Sequence, residues 1–373
     1  MNRIMVRNFE IFTKNEIIQA RRQLKNWFIS NQRPLPWRNS PHPYATWLCE
    51  IIMQQTRIDQ GTRYWHSFLD QWPDFKSLAA AESEEIMKAW QGLGYYSRAR
   101  NLHKAAKIVA NDWGNELPTT AKEWQQLPGV GPYTAAAIAS ICYGDPVAAV
   151  DGNALRVISR WGGIQEPIDK PAGRKPIEQL AQDFLEPTDS GMHNQAIMEL
   201  GALICTPKAP DCENCPLEGN CKSRVAASGQ TPLVPIKAGK TKVLKVAVTF
   251  HVIVHRNQVL MTQRPSPGIW GGLWEFPSRW IETKSEDTPK HQTPPLTCQT
   301  DLRDMGQIGE AFSHVLSHRK LDVRFHLWQS KNKFTEENHN WFSWEECENL
   351  PIPRAIDKKW GELTKSITLL RFS

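Results

Sequence analysis

The sequence predicts a multidomain protein, with an all-α domain over residues 1–222, a linker over 223–244 and a smaller α+β domain over 245–373. Three observations lead there. At 373 residues the chain exceeds the usual size of one domain, so each part can bury its own core. In the first part apolar residues recur at spacings of three and four, as in Ile17, Ile18, Leu24, Trp27 and Phe28, which is the period of a helix packed on one face. From Lys245 the pattern changes to alternation, the period of a strand.

Taken in order, helical patterns occupy 44–69, 83–90, 97–112, 132–142, 153–161, 174–185 and 193–204, with short polar or Gly/Pro connections between them. The segment 223–244 mixes small residues, prolines and lysines without a period and reads as an interdomain linker. Beyond it VAVTFHVIV, the turn-rich GIWGGLWEFP and LDVRFHLW are strand signals, and 281–300 reads as a mobile excursion.

Hydrophobic residues at 40% and charged residues at 23% are ordinary for a soluble globular protein. The longest apolar run, Thr134 to Cys142, is too short to cross a bilayer, which excludes membrane insertion. Met1 to Phe12 alternate polar and apolar with no hydrophobic region or cleavage site of a secretory signal, so the expectation is a reducing, cytoplasmic compartment. The net charge of +6 is modest but unevenly placed. Six Lys or Arg and no acidic residue lie between Lys222 and Lys245, and the first fifty residues hold eight basic and three acidic groups. Such clusters suit a polyanion through counterion release, or are simply a solvated linker and a solvated helix.

Four of the eight cysteines, Cys205, Cys212, Cys215 and Cys221, fall within seventeen residues as C-x6-C-x2-C-x5-C. Four thiolates on one loop after a helix can surround a metal centre, which in a reducing compartment is favoured over two disulfides. Zinc and an iron–sulfur cluster both remain open. A single C-x2-C arm with one long and one medium interval favours a cubane cluster.

The string Leu127-Pro-Gly-Val-Gly131-Pro-Tyr-Thr-Ala135 lies between two helical patterns. Gly129 and Gly131 can take backbone angles forbidden to other residues, and Pro132 suits a first helical position. A glycine hairpin that turns the free amides of a helix start outward is an anion site, and on DNA the anion is a phosphate. A plain tight turn is the alternative.

Taken together, LPGVGPYTA, the later VDGN and the cysteine loop resemble the helix-hairpin-helix DNA glycosylase superfamily, and TWLCEIIMQQT and GLGYYSRARNLHKAA resemble its adenine-specific MutY branch. The resemblance spans nearly the whole chain. It implies a helix-hairpin-helix glycosylase domain with an iron–sulfur loop, a bound 4Fe-4S cluster, and a second domain similar in fold to Nudix hydrolases. It also implies a monomer whose partner is double-stranded DNA containing adenine opposite 8-oxoguanine or guanine, associated with the nucleoid if bacterial. No acidic cluster of the Nudix catalytic kind follows Gly272, so nucleotide hydrolysis by the second domain is not expected.

Breaking an N-glycosidic bond passes through an oxocarbenium-like state, which calls for an acid on the departing base and a negative charge beside the sugar. Glu50 lies in TWLCEIIMQQT near Trp47, where partial burial would keep its proton; read blind, it is a solvent-facing helical Glu. Asp151 in VDGNALRVISR has the plain alternative of an N-cap, whereas the resemblance makes it the sugar-facing carboxylate, as stabiliser or as nucleophile. Tyr133 stands where related enzymes that also cut the strand carry a Schiff-base lysine, so a monofunctional glycosylase is expected.

The target base must leave the stack. The resemblance places Gln55, Thr56, Leu93 and Tyr95 against the duplex, with Tyr95 as a wedge beside the opposing purine, and Trp37, Arg38 and Gln195 around the adenine. It places Leu316, Ser317 and His318 where the family reads 8-oxoguanine with Phe-Ser-His; the leucine departs from that pattern, and Ala311 to His314 (AFSH) is a competing register. Two other functions compete with this one, a bifunctional glycosylase/lyase and a non-enzymatic iron–sulfur DNA sensor.

Overall fold

The computed structural model describes residues 3–6, 9–38, 41–226, 234–239, 243–266, 268–282, 293–297 and 302–370. The chain forms two compact units, one of Met1–Ala80 with Lys104–Lys240 and one of Ala81–His103 with Thr241–Ser373. Residues 81–103 therefore pack with the C-terminal part, although they fall inside the helical half of the sequence.

The helices in chain order are α1 (Lys14–Asn31), α2 (Pro43–Met53), α3 (Ile58–Gln71), α4 (Phe75–Ala80), α5 (Ser83–Ala89), α6 (Ser97–Lys107), α7 (Ala121–Trp124), α8 (Pro132–Tyr143), α9 (Gly152–Gly162), α10 (Pro171–Phe184), α11 (Ser190–Leu203) and α12 (Lys222–Ala226). Local chemistry sets their ends. Thr13 and Glu16 form a reciprocal capping box at the start of α1, which buries Ile17, Ala20, Leu24 and Phe28 along one face. Pro132 occupies the first turn of α8, and Gly144 closes that helix in the left-handed region at φ 72°. The main core of the first unit joins α1, α9, α10 and α11 through Leu24, Phe28, Ile158, Trp161, Leu180, Phe184 and Leu200.

Two features depart from the helical reading of the first part. An antiparallel hairpin of β1 (Arg3–Val6) and β2 (Phe9–Thr13) precedes α1. The stretch 44–69 is broken between α2 and α3, where Gln55 sits at φ 57°. Of the linker, 227–233 and 240–242 lie outside the described residues, while Val234 is buried and Ile236 accepts a backbone hydrogen bond from Ile168.

The second unit carries a mixed seven-stranded sheet among the described residues. Its strands are β3 (Leu244–His255), β4 (Gln258–Gln263), β5 (Trp274–Glu275), β6 (Ser278–Glu282), β7 (Leu302–Val315), β8 (Arg319–Ser330) and β9 (His339–Ser343). The order is β5-β4-β3-β8-β7, with β6 paired to β3 and β9 to β4. The strands β3 and β8 run parallel, and β3 is buried from Val246 to Val254, as a strand covered on both faces must be. Three short helices, α13 (Trp344–Asn349), α14 (Arg354–Asp357) and α15 (Trp360–Leu370), follow. Of the expected excursion over 281–300, residues 283–292 and 298–300 lie outside the described residues.

Candidate active site

Three elements of the first unit bring Glu50, Tyr133 and Asp151 together. Glu50 is near the end of α2, Tyr133 is the second residue of α8 and Asp151 precedes α9. The Tyr133 side chain hydrogen-bonds Glu50, and its hydroxyl also points at the Met198 sulfur, 3.3 Å away. Burial pushes the Glu50 carboxyl up to about 7; the Tyr133 bond opposes this and the nearby Asp151 charge adds to it. Glu50 is half-buried, so it is enclosed by protein yet reachable.

Asp151 is the N-cap of α9. One carboxylate oxygen accepts the Ala154 N–H at 2.7 Å and the other accepts the Asn153 amide at 2.9 Å. Burial raises its pKa above the usual aspartate range, against the pull of these donors and of Arg156. The Tyr133 phenol, raised well above its ordinary value by burial, is also raised by both carboxylates. Two acids in different settings, one poised to hold a proton and one held by donors that favour its anion, are the arrangement for divided acid and anion roles.

Only one of the two hairpin glycines takes a backbone angle closed to other residues, since Gly131 lies in ordinary extended backbone at φ −83°. Gly129 takes φ 80°, and Gly131 caps α8 with no side-chain bond to the helix amides. A Cβ at Gly131 would meet nothing within 4 Å, so the approach to the helix start is open.

Arg38 is committed to Glu199. Both of its terminal nitrogens reach that carboxylate, the closer at 2.8 Å, and Arg33 bonds the same group at 2.8 Å. Burial works against the Glu199 anion, but the bonds from Arg33 and Arg38 outweigh it and hold the pKa down to about 2. Trp37 is partly exposed and meets Trp65 edge to face at 5.6 Å; Gln195 is partly exposed on α11. Gln55 is exposed, and Thr56 closes the turn by donating its N–H to Met53 at 3.1 Å.

Three of the loop cysteines, Cys205, Cys215 and Cys221, pack at the edge of the core, and in Cys215 burial pushes the thiol up to about 12, with the charges of Cys205, Cys221 and Cys212 adding to the rise. Among the described residues no three His, Cys, Asp or Glu side chains form a ready metal-holding group. The donor set nonetheless fits a thiolate-held centre. The buried Arg160 donates to the Cys205 sulfur at 3.3 Å and otherwise to backbone carbonyls, so thiolate charge there would meet a guanidinium.

In the second unit, Leu316–His318 form the turn between β7 and β8, closed by the Leu316 N–H on the Arg319 carbonyl at 2.8 Å. Phe312, Ser313 and His314 lie inside β7, paired with Val323, Asp322 and Leu321. Tyr95, 46% exposed and at φ 48°, hydrogen-bonds Ser317 through its hydroxyl. Leu93 is 7% exposed, so of the three candidates for the gap left in the stack, Gln55 and Tyr95 are presented to solvent and Leu93 is not.

Sequence reasoning missed Asn153, Arg156, Asn194 and Glu199. Asn153 was visible in VDGN as the residue two beyond Asp151; Asn194 and Glu199 give no local signal, because their partners lie far along the chain, and Arg156 joins nearby Asn153 to the distant Gly201 and Cys205.

Comparison with known proteins agrees with this layout. Residues 48–187 match the HhH-GPD superfamily of base excision DNA repair proteins, and residues 248–361 match the NUDIX domain. A solved thermostable thymine-DNA glycosylase is 27% identical and superposes with a TM-score of 0.53 over 57% of this chain and 98% of its own. An adenine DNA glycosylase of Schizosaccharomyces pombe is 30% identical over 91% of this chain and 88% of its own length. One of Rattus norvegicus is 31% identical over 92% of this chain and 77% of its own. With that identity over more than nine-tenths of the chain, the chain belongs to the adenine DNA glycosylase family.

Proposed function

We propose that this chain hydrolyses the N-glycosidic bond of adenine paired with 8-oxoguanine or guanine in double-stranded DNA, as a monomer and without cutting the strand. The observation that carries the reading is the meeting of a proton-holding Glu50 with Tyr133 and Asp151. With the adenosine turned out of the stack, Glu50 gives its proton to the departing base. Asp151, kept anionic by Ala154, Asn153 and Arg156, faces the sugar carbon as positive charge develops there. Water then adds to that carbon, gives its surplus proton back to the Glu50 carboxylate and leaves an abasic site. Tyr133 carries no amine and forms no Schiff base, which separates this reaction from that of a glycosylase/lyase.

The open amides at the start of α8 suit a phosphate, and Gln55, Thr56 and Tyr95 suit the interrupted duplex. Ser317 and His318, exposed on the β7–β8 turn, suit hydrogen bonds to the purine opposite the adenine, with Leu316 beside them. Trp37, Arg38 and Gln195 are the adenine-side residues; Arg38 does this through a guanidinium already fixed by Glu199. Cys205, Cys212, Cys215 and Cys221 would hold a 4Fe-4S cluster, whose contribution is to order the loop. Four cysteines gathered on one loop as ligands suit a reducing compartment, the cytoplasm and its nucleoid if the source is bacterial.

The deciding experiment offers the purified chain duplexes with adenine opposite 8-oxoguanine, guanine, cytosine or thymine. Excision is expected for the first two, with no borohydride-trapped adduct. Indifference to the opposing base, or a strong covalent adduct, would remove the reading.

A further inference from the structure

The segment Pro146–Val150, which delivers Asp151, belongs to no sheet, and two side-chain amides stand where neighbouring strands would be. Gln182 of α10 donates to the Pro146 carbonyl at 2.9 Å and accepts the Ala148 N–H at 2.9 Å. Asn194 of α11 donates to the Val147 carbonyl at 2.9 Å and accepts the Ala149 N–H at 3.0 Å. Each amide takes one carbonyl and the N–H two residues on, and the two sets are offset by one residue. In an extended chain those sets point to opposite sides, so the amides grip both edges.

The inner grip is the firmer one. Asn194 is 3% exposed and also donates to Ser140 Oγ at 2.9 Å, which ties the segment to the end of α8. Gly191 permits this approach, because a Cβ there would come within 2.6 Å of the Ser140 carbonyl oxygen. The last gripped atom, the Ala149 nitrogen, is only two residues from Asp151. Few torsions remain between the clamp and the carboxylate.

We infer that Asn194, supported by Gln182, is a positioning residue for Asp151, setting how far the carboxylate reaches toward Glu50 and Tyr133. The inference rests on the reading of Asp151 as the sugar-facing carboxylate. A peptide-like amide is the side chain that satisfies both a carbonyl and an N–H of one strand edge; alanine satisfies neither.

The test uses the full chain with Asn194→Ala and Gln182→Ala. Single-turnover excision from an adenine:8-oxoguanine duplex is measured across pH, together with binding to the same duplex carrying a tetrahydrofuran in place of the adenosine. Small misplacement of a catalytic group costs rate steeply, so Asn194→Ala is expected to slow excision about a hundredfold and Gln182→Ala about fivefold, with binding kept within about twofold. The alkaline limb of the pH profile should also move down, since a displaced Asp151 no longer helps to hold the Glu50 proton. A merely structural role would weaken rate and binding together and leave the profile in place, and that result, or an unchanged rate in both variants, overturns the inference. If Asn194→Ala does not fold, the exposed Gln182→Ala decides by the same two readouts. Asp151→Asn is run in parallel: normal excision by it overturns the catalytic reading and this inference with it. An inactive Asp151→Asn beside normal Asn194→Ala and Gln182→Ala overturns the positioning role alone.

Discussion

Asn153 bridges the Asp151 carboxylate and Arg156: its amide nitrogen donates to Asp151 Oδ2 at 2.9 Å, and its amide oxygen accepts Arg156 Nη2 at 2.8 Å. Arg156 continues to the carbonyls of Cys205 and Gly201, each at 2.8 Å. A continuous run of hydrogen bonds thus joins the Asp151 carboxylate to Cys205, the first cysteine of the loop. Supporting bonds of this kind typically cost about 10–100-fold in activity or metal affinity when removed. Arg156→Gln is expected to lower single-turnover excision by that order and to lower iron retained per chain. Unchanged values for both would show that the run is only a structural brace.

Glu50 predicts an opposition between activity and stability. Its pKa rises from an ordinary 4.5 to about 7, so the folded state holds a proton that the unfolded state releases in that window. Stability from this site is therefore complete below 4.5 and falls as pH climbs through about 7, by at most about 3 kcal/mol for a group that is half-buried. Glu50→Gln should raise the melting temperature at mildly alkaline pH, add nothing in acid, and abolish excision while duplex binding persists. In the wild type the rate should fall as pH rises through about 7. On the acid side it should fall at a pH above the usual aspartate range, because the Asp151 pKa is raised. Equal melting temperatures for the variant and the wild type at alkaline pH would contradict this.

Glu199 shows the reverse sign. With its pKa held at about 2 by Arg33 and Arg38, it stabilises the fold above 4.5, and that contribution is lost as pH drops through about 2. Its side chain is 1% exposed and that of Arg38 is 10% exposed, so Glu199→Gln leaves a nearly buried cation without its counter-ion. The expected loss is about 3 kcal/mol in denaturant unfolding near neutral pH, shrinking in strong acid. A loss below about 1 kcal/mol would mean that Arg38 finds water instead.

The meeting of Glu50, Tyr133 and Asp151 was legible because each of them sits in a contiguous motif: TWLCEIIMQQT, LPGVGPYTA and VDGN. The N-cap reading of Asp151 is met by its bond to Ala154, and that same bond steadies the anion that the proposed role requires. What was not legible depends on residues distant in sequence. Asn194 reaches back to Val147 and Ala149, and Glu199 reaches Arg33 and Arg38, with no periodicity to announce either. The N-terminal hairpin was present as alternation in Met1 to Phe12 but is too short to stand out. The break at Gln55 is masked because apolar residues resume at helical spacing on both sides of it. The packing of 81–103 with the C-terminal part is a tertiary fact that helix periodicity does not report.

Tyr95 and Ser317 offer a way to separate a ring from its hydroxyl. Arg98 holds the Tyr95 turn by donating to the Leu93 and Gly94 carbonyls, each at 3.2 Å, and its guanidinium lies 5.7 Å from the Tyr95 ring centroid. The Tyr95 hydroxyl meanwhile bonds Ser317 in the free protein. An exposed hydrogen bond of this sort contributes at most about 1 kcal/mol. For Tyr95 to stack in a duplex and Ser317 to bond a purine, that bond must be released. Tyr95→Phe keeps the ring and removes only the bond to be broken, so it should bind an adenine:8-oxoguanine duplex at least as tightly as the wild type. Tyr95→Ala loses base stacking, worth roughly 1–3 kcal/mol, and should bind at least about fivefold more weakly. Equal weakening by both substitutions would show that the hydroxyl, rather than the ring, makes the contact with DNA.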